Sequence, residues 1–202
     1  VTSSWEVVAH EGGHALHHEL KPHIVRVPNE VHGFGTWGES FGDQVAMWTS
    51  LTDLNRVREL LSHTGGDLKK TSPLTAMGEV LATLSGEGTG IRDAYQDKKI
   101  STTDAEIHER SEVLTGAAYN VLQGIYRGLL ADPAMQRQHG ARLPLWAMTQ
   151  AGDIMGKFMV RAADYTPETQ VTLEDVGKAC LSVDREYFGG AYHDLWAREL
   201  ET

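Results

Sequence analysis

Apolar residues return every three or four positions along most of the chain, the spacing of helices that bury one face. The clearest run extends from Ser111 to Leu130, apolar at Val113, Leu114, Ala117, Ala118, Val121, Leu122, Ile125 and Leu129. Asp132-Pro133 breaks it, because proline removes a backbone donor and clashes with the preceding turn. Further helices are predicted from Leu145 to Ala163, from Thr172 to about Tyr187, and from Ala191 to Glu201. Tyr165-Thr166-Pro167 and Gly189-Gly190 stop the first two. Near the start, Ser3-Ser4-Trp5-Glu6 has the capping-box form and opens a helix from about Ser4 to Leu20, which Lys21-Pro22 ends. Thr36-Trp37-Gly38-Glu39 repeats that form and opens a helix through Leu51. Asp53 caps another through Leu61, closed by Gly65-Gly66, and Ser72-Pro73 leads a short one to about Ser85.

Two segments lack this period. Residues 21–38 carry Pro22, Pro28, Gly33, Gly35 and Gly38, which predicts a loop crossing the floor of a cleft. Residues 86–104 are Gly-rich and polar, which predicts a mobile loop. No alternating strand pattern of useful length occurs, and no internal repeat. The expected architecture is a mainly α helical bundle, one domain over residues 1–202, with a leading part over 1–63 and a helical part over 67–202. Trp37, Trp48, Trp146, Trp196, Met155 and Met159 are read as core, and Tyr119 as packing its helix. His17, His18 and His23 are read as exposed or rim residues.

Composition narrows the function. The apolar share of 41% supports a real core. A net charge of -10 argues against nucleic acid, whose binders show basic patches, and against docking on anionic membrane. No apolar run is long enough to span a bilayer. The lone Cys180 excludes an intrachain disulfide framework and leaves the compartment unknown. The chain starts at Val1 with no secretory signal, so a processed form or an excised domain is expected.

The candidate chemistry lies in His10-Glu11-Gly12-Gly13-His14, an H-E-x-x-H motif inside the first predicted helix. Residues four apart share a helical face, so His10 and His14 can aim two imidazoles at one metal ion. Glu11 sits about 100° round the helix from His10, placed to hold a water beside that ion. Gly12 and Gly13 each cost about 1 kcal/mol in a helix interior, which suggests a second backbone passing close by. A catalytic zinc usually takes a third protein ligand and keeps one position open. The metzincin pattern would need Gly at position 17 and His at 20, and this chain has His17 and Leu20. His17 lies roughly 10 Å along the axis from His10, too far for the same ion. Glu39 is the better third ligand, and Asp43 follows four residues later on the same face, placed to accept from the free ring nitrogen of a ligand histidine.

This combination resembles the thermolysin-like gluzincin zinc metallopeptidases, in which H-E-x-x-H is followed after a few tens of residues by Glu-x-x-x-Asp. Here those residues are His10-Glu11-Gly12-Gly13-His14 and Glu39-Ser40-Phe41-Gly42-Asp43. The resemblance implies zinc on His10, His14 and Glu39, with Glu11 as general base and Asp43 orienting His10. The segment from Ile107 to Tyr119 is similar to the family's oxyanion segment, with His108 ahead of Ala117-Ala118-Tyr119. His108 is then the expected oxyanion donor, with Asp104 or Glu106 holding its ring. The helical tail resembles the family's C-terminal subdomain, built on the active-site helix. The expected function is zinc-dependent peptide-bond hydrolysis by a water that Glu11 activates on the metal, with a polypeptide as substrate. The resemblance slightly favours a secreted or extracytoplasmic setting.

Three departures stand out. Only nine residues precede His10, so the family's N-terminal β-rich subdomain is expected to be absent. No Tyr lies between His18 and Glu39, where the family often carries a second oxyanion donor. The family's Asp partner for the oxyanion His falls at Thr103 here. Rival expectations therefore stand beside the enzyme: a non-catalytic zinc-containing binding or scaffold module, half of an enzyme that needs its N-terminal subdomain, or a hydrolase of non-peptide amides.

Overall fold

Helices α1 (Trp5–Leu20) and α2 (Val31–Ser50) form the leading layer and run against one another. The computed structural model describes residues 5–22, 31–70, 72, 74, 76–77, 92–94, 98–103 and 107–200. Helices α1 and α2 come close together where two glycines meet. A Cβ at Gly13 would stand 2.7 Å from Cα of Gly42, and a Cβ at Gly42 would stand 2.8 Å from the His10 ring. Neither position has room for a methyl group, so the backbone approach expected from Gly12 and Gly13 is realised at Gly13. Gly12 is exposed, with open space on its Cβ side.

Helix α2 starts at Val31, so residues 31–38 are helical and not the loop expected over 21–38. Thr36 is buried within the helix and does not cap it. Glycine propensity is a weak prior that packing overrides. Trp37 and Phe41 bury against α1, and Gly38 leaves room for His17, whose Nδ1 would lie 3.3 Å from a Cβ there. The expected cap at Ser3 and the loop residues 23–30 lie outside the described residues.

Helix α3 (Leu54–Thr64) follows as expected. The Asp53 carboxylate accepts from Asn55 N at 2.8 Å, and Gly65 closes the helix in the left-handed region at φ 67°. Beyond it, Ala76–Met77 (β1) pairs antiparallel with Arg92–Asp93 (β2). The helix expected from Ser72-Pro73 is therefore not formed at Ala76 and Met77. Their backbone groups find partners across a short ladder, which satisfies them as well as a helix turn would. Ser72 and Leu74 are not helical either, and the remaining residues of that expected helix lie outside the described residues, as does most of the loop expected over 86–104, of which Ile100–Thr102 is a 3-10 turn.

The long helix α4 (Ile107–Ala131) is central, packing on α2, on α6 (Leu143–Tyr165) and on α8 (His193–Leu200). Asp132 ends it and also caps α5 (Pro133–His139), its carboxylate accepting from Ala134 N at 2.7 Å. That short helix was not foreseen, although Asp-Pro is a standard N-cap and N1 pair. Helix α7 (Leu173–Tyr187) opens on a full capping box between Thr172 and Asp175. The chain is mainly helical, and among the described residues no helix is long and apolar enough to cross a membrane.

One apolar core joins the leading and the trailing helices. Phe41 and Met47 of α2 share this core with Tyr119, Leu122 and Ile125 of α4 and Met148, Met155 and Phe158 of α6, all fully buried. Each such side chain contributes about 1.5–3 kcal/mol on leaving water. Trp37, Trp48 and Trp196 are buried with them, whereas Trp146 is half-buried and stacks on His139 at 4.0 Å. Two polar ties brace the frame. Tyr119 Oη donates to the Leu68 carbonyl at 2.8 Å, and the buried Lys21 Nζ donates to the Thr166 carbonyl at 2.9 Å. The second tie fixes the end of α1 to the end of α6.

Candidate metal centre

Helix α1 presents His10 and His14 one turn apart toward α2, their rings edge to face at 4.6 Å. Helix α2 returns Glu39 between them. Oε2 of Glu39 lies 3.6 Å from His10 Nε2, and Oε1 lies 3.5 Å from His14 Nε2. One donor atom from each of these three residues falls within 4.8 Å of the other two. All three residues are partly buried, so the site has a protein floor and an open side.

The opposite nitrogen of His10 is engaged from behind. Its Nδ1 is 3.0 Å from Oδ1 of Asp43, whose side chain is buried. That bond fixes Nδ1 as the protonated nitrogen and makes Nε2, the atom facing Glu39, the unprotonated one in the neutral ring. Gly42 makes this arrangement possible, since any side chain there would strike the His10 ring.

Asp43 is held in turn by a buried polar group. Thr115 Oγ1 of α4 lies 3.5 Å from Asp43 Oδ2 and 2.9 Å from Ser40 Oγ, and Gln44 Nε2 donates to Ser40 Oγ at 3.2 Å. Thr115 and Ser40 were not singled out from the sequence. A signal was present: Thr115 lies seven residues after His108, two turns along the same face of α4.

His108 enters from the start of α4. Its Nε2 is 3.5 Å from Glu39 Oε2, on an imidazole half open to solvent. Lys98 Nζ pairs with Glu112 of the same helix at 2.6 Å, fastening the preceding segment beside His108. Asp104 and Glu106, expected to hold the His108 ring, lie outside the described residues. Thr103 turns back to its own segment, its hydroxyl donating to the Ile100 carbonyl at 3.2 Å.

Glu11 is exposed on α1 beside the two histidines. The His14 pKa is lowered, by burial first and by the neighbouring His10 next, with Glu39 and Glu11 opposing. A neutral imidazole is the form that binds a metal.

His17, expected at the rim, is fully buried. It stacks on Phe34 at 4.4 Å and on Phe41 at 4.9 Å, and meets the Trp37 edge at 4.3 Å. Neither ring nitrogen has a hydrogen-bond partner among the described residues, and burial drives its pKa down to about 3. The sequence signal was the Ala9, Gly13, His17 spacing, the stripe of α1 that lies against α2. His18 is exposed as expected.

Set against known protein families, curated proteins and solved structures, the chain matches none.

Proposed function

We propose that this chain is a zinc-dependent peptidase of the thermolysin-like gluzincin kind, with α4 to α8 as the counterpart of that family's C-terminal subdomain. The observation that carries the reading is the convergence of His10, His14 and Glu39, with Asp43 behind His10 and with Glu11 and His108 flanking. Two imidazoles and one carboxylate, with an open side, suit zinc in a catalytic rather than a purely structural setting. Zinc, when bound, polarises a carbonyl and makes a water easier to deprotonate.

The chain's own groups supply the rest. Glu11 takes the proton of the attacking water and returns it to the leaving nitrogen. His108 Nε2 donates to the oxygen that gains negative charge at the tetrahedral stage, the kind of contact that often contributes most in acyl transfer. Asp43 keeps His10 in one tautomer and one orientation throughout. The half-open His108 ring borders the side from which a polypeptide would approach.

The test is Glu11→Gln assayed on a broad peptide mixture, with a chelator control. Zinc content should remain at the parent level while cleavage falls by two to four orders of magnitude, roughly the span of general-base catalysis. Equal cleavage by parent and variant would remove Glu11 as the base.

A second reading has its own observation. The outer face of α1 exposes Trp5, Val8 and Leu16, an apolar stripe of the kind that marks an interaction surface. In that reading the chain holds zinc but needs its outer face covered, by the family's β-rich subdomain or another partner, before it turns over substrate. Zinc binding without cleavage here, and cleavage by a longer form, would favour it. Zinc binding without cleavage by either form would favour a non-catalytic module.

A further inference from the structure

The buried hydroxyl of Thr115 reaches from α4 to the carboxylate behind His10, and α4 is also the helix that carries His108. Thr115, Ser40, Asp43 and Gln44 are all buried, so each polar atom among them must find its partner inside the protein. A hydroxyl has one hydrogen and two lone pairs, and its hydrogen rotates to suit. Gln44 donates to Ser40, and the Thr115 hydroxyl reaches both Ser40 Oγ at 2.9 Å and Asp43 Oδ2 at 3.5 Å. Asp43 then offers its other oxygen, Oδ1, to His10 Nδ1 at 3.0 Å.

We propose that Thr115 is a positioning residue of the metal centre: its hydroxyl orients Asp43 toward His10 and, seven residues beyond His108, sets the rotation of α4 that brings His108 to Glu39. The inference rests on the zinc reading above and adds a residue that the H-E-x-x-H and Glu-x-x-x-Asp motifs do not contain. Two consequences belong to it. Without the hydroxyl, Asp43 loses this tie to α4 and can swing off the His10 ring, which weakens the ligand. Without the pin, α4 can turn against α2, which moves His108.

The experiment uses the full chain and the pair Thr115→Val and Thr115→Ser, with zinc affinity read by competition against a chromophoric chelator at fixed pH. Thr115→Val keeps the shape and removes the hydroxyl, and should weaken zinc by about 10-fold or more, the usual cost of losing an outer partner of a ligand histidine. Thr115→Ser restores the hydroxyl and should return affinity to within about 3-fold of the parent. In the zinc-loaded protein, the low-field proton of His10 Nδ1 should shift or vanish in Thr115→Val and persist in Thr115→Ser. Should Thr115→Val not fold, Ser40→Ala removes the hydroxyl that Thr115 contacts at 2.9 Å and should weaken zinc in the same direction. A parent that takes up no zinc overturns the metal reading and this one with it. A parent that binds zinc, with Thr115→Val or Ser40→Ala binding equally well, overturns the role of Thr115 alone.

Discussion

His10 and Asp43 are joined through the ring nitrogen that points away from Glu39, with Nδ1 3.0 Å from Oδ1, while Nε2 lies 3.6 Å from the Glu39 carboxylate. The two contacts divide the imidazole into a held side and a working side. Replacing Asp43 by Ala frees the ring to rotate and to change tautomer. Zinc affinity should drop 10- to 100-fold, roughly the span measured for outer partners of ligand histidines. Asp43→Asn keeps an acceptor without the charge and should fall between parent and Ala. Chelator competition measures both, and an Ala variant of unchanged affinity would show that Asp43 does not govern His10.

His108 should separate binding from chemistry. His108→Ala is expected to keep zinc at parent affinity and to lose about 10²–10³ in kcat, the cost of one oxyanion donor. A loss confined to KM would make His108 a substrate contact instead. Loss of the metal would make it a ligand.

Gly42 is open to a substitution that intrinsic propensity favours. Alanine stabilises a helix interior by about 1 kcal/mol over glycine. Here its Cβ would stand 2.8 Å from the His10 ring and must push it aside. Gly42→Ala should lower zinc affinity more than it lowers the melting temperature of the chelator-treated protein. Gly12→Ala, on the open side of α1, is the control that should gain stability and leave zinc alone.

His17 makes a prediction about acid. Its folded pKa of about 3 lies below the unfolded value of 6.5. The unfolded chain therefore binds this proton first as pH falls, so the contribution is fully present above pH 6.5 and is lost progressively toward pH 3. Among the described residues the groups around it give no counter-charge: Phe34, Trp37 and Phe41 face it from α2, and His14 and His18 on α1 and Lys21 just after it all oppose its protonation. The gap between the two pKa values amounts to a loss on the order of 5 kcal/mol once the descent is complete. His17→Phe should flatten the fall in denaturant midpoint between about pH 6.5 and pH 4, the upper part of that window. A variant that loses stability with acid as steeply as the parent would assign the acid sensitivity to other groups.

Much of this was legible because it depends on local spacing. A spacing of four residues placed His10 with His14 and Glu39 with Asp43, and the structure brings the four side chains together. The start of α2 was not legible. Gly33, Gly35 and Gly38 look like loop residues when only propensity is considered, and what keeps them helical is the burial of Trp37 and Phe41 against another helix. The segment after Ser72 failed for a related reason, since the partner of Ala76 and Met77 is a strand well downstream at Arg92 and Asp93. His17 was misplaced because its type suggests solvent, whereas its position on the stripe of Ala9 and Gly13 determines its surroundings. Thr115 belongs to the same class: its spacing from His108 puts it on that face of α4, but what it touches there depends on the facing helix.

The seam at Gly13 and Gly42 carries a last consequence, for the order of events when metal arrives. Two backbones in direct contact leave no gap to close, and the donor atoms already stand near one another. Loading should then be a capture by a finished cradle, not a folding step. Far-UV circular dichroism should be the same before and after zinc, and the uptake rate should rise in proportion to zinc concentration with no plateau from a slow rearrangement.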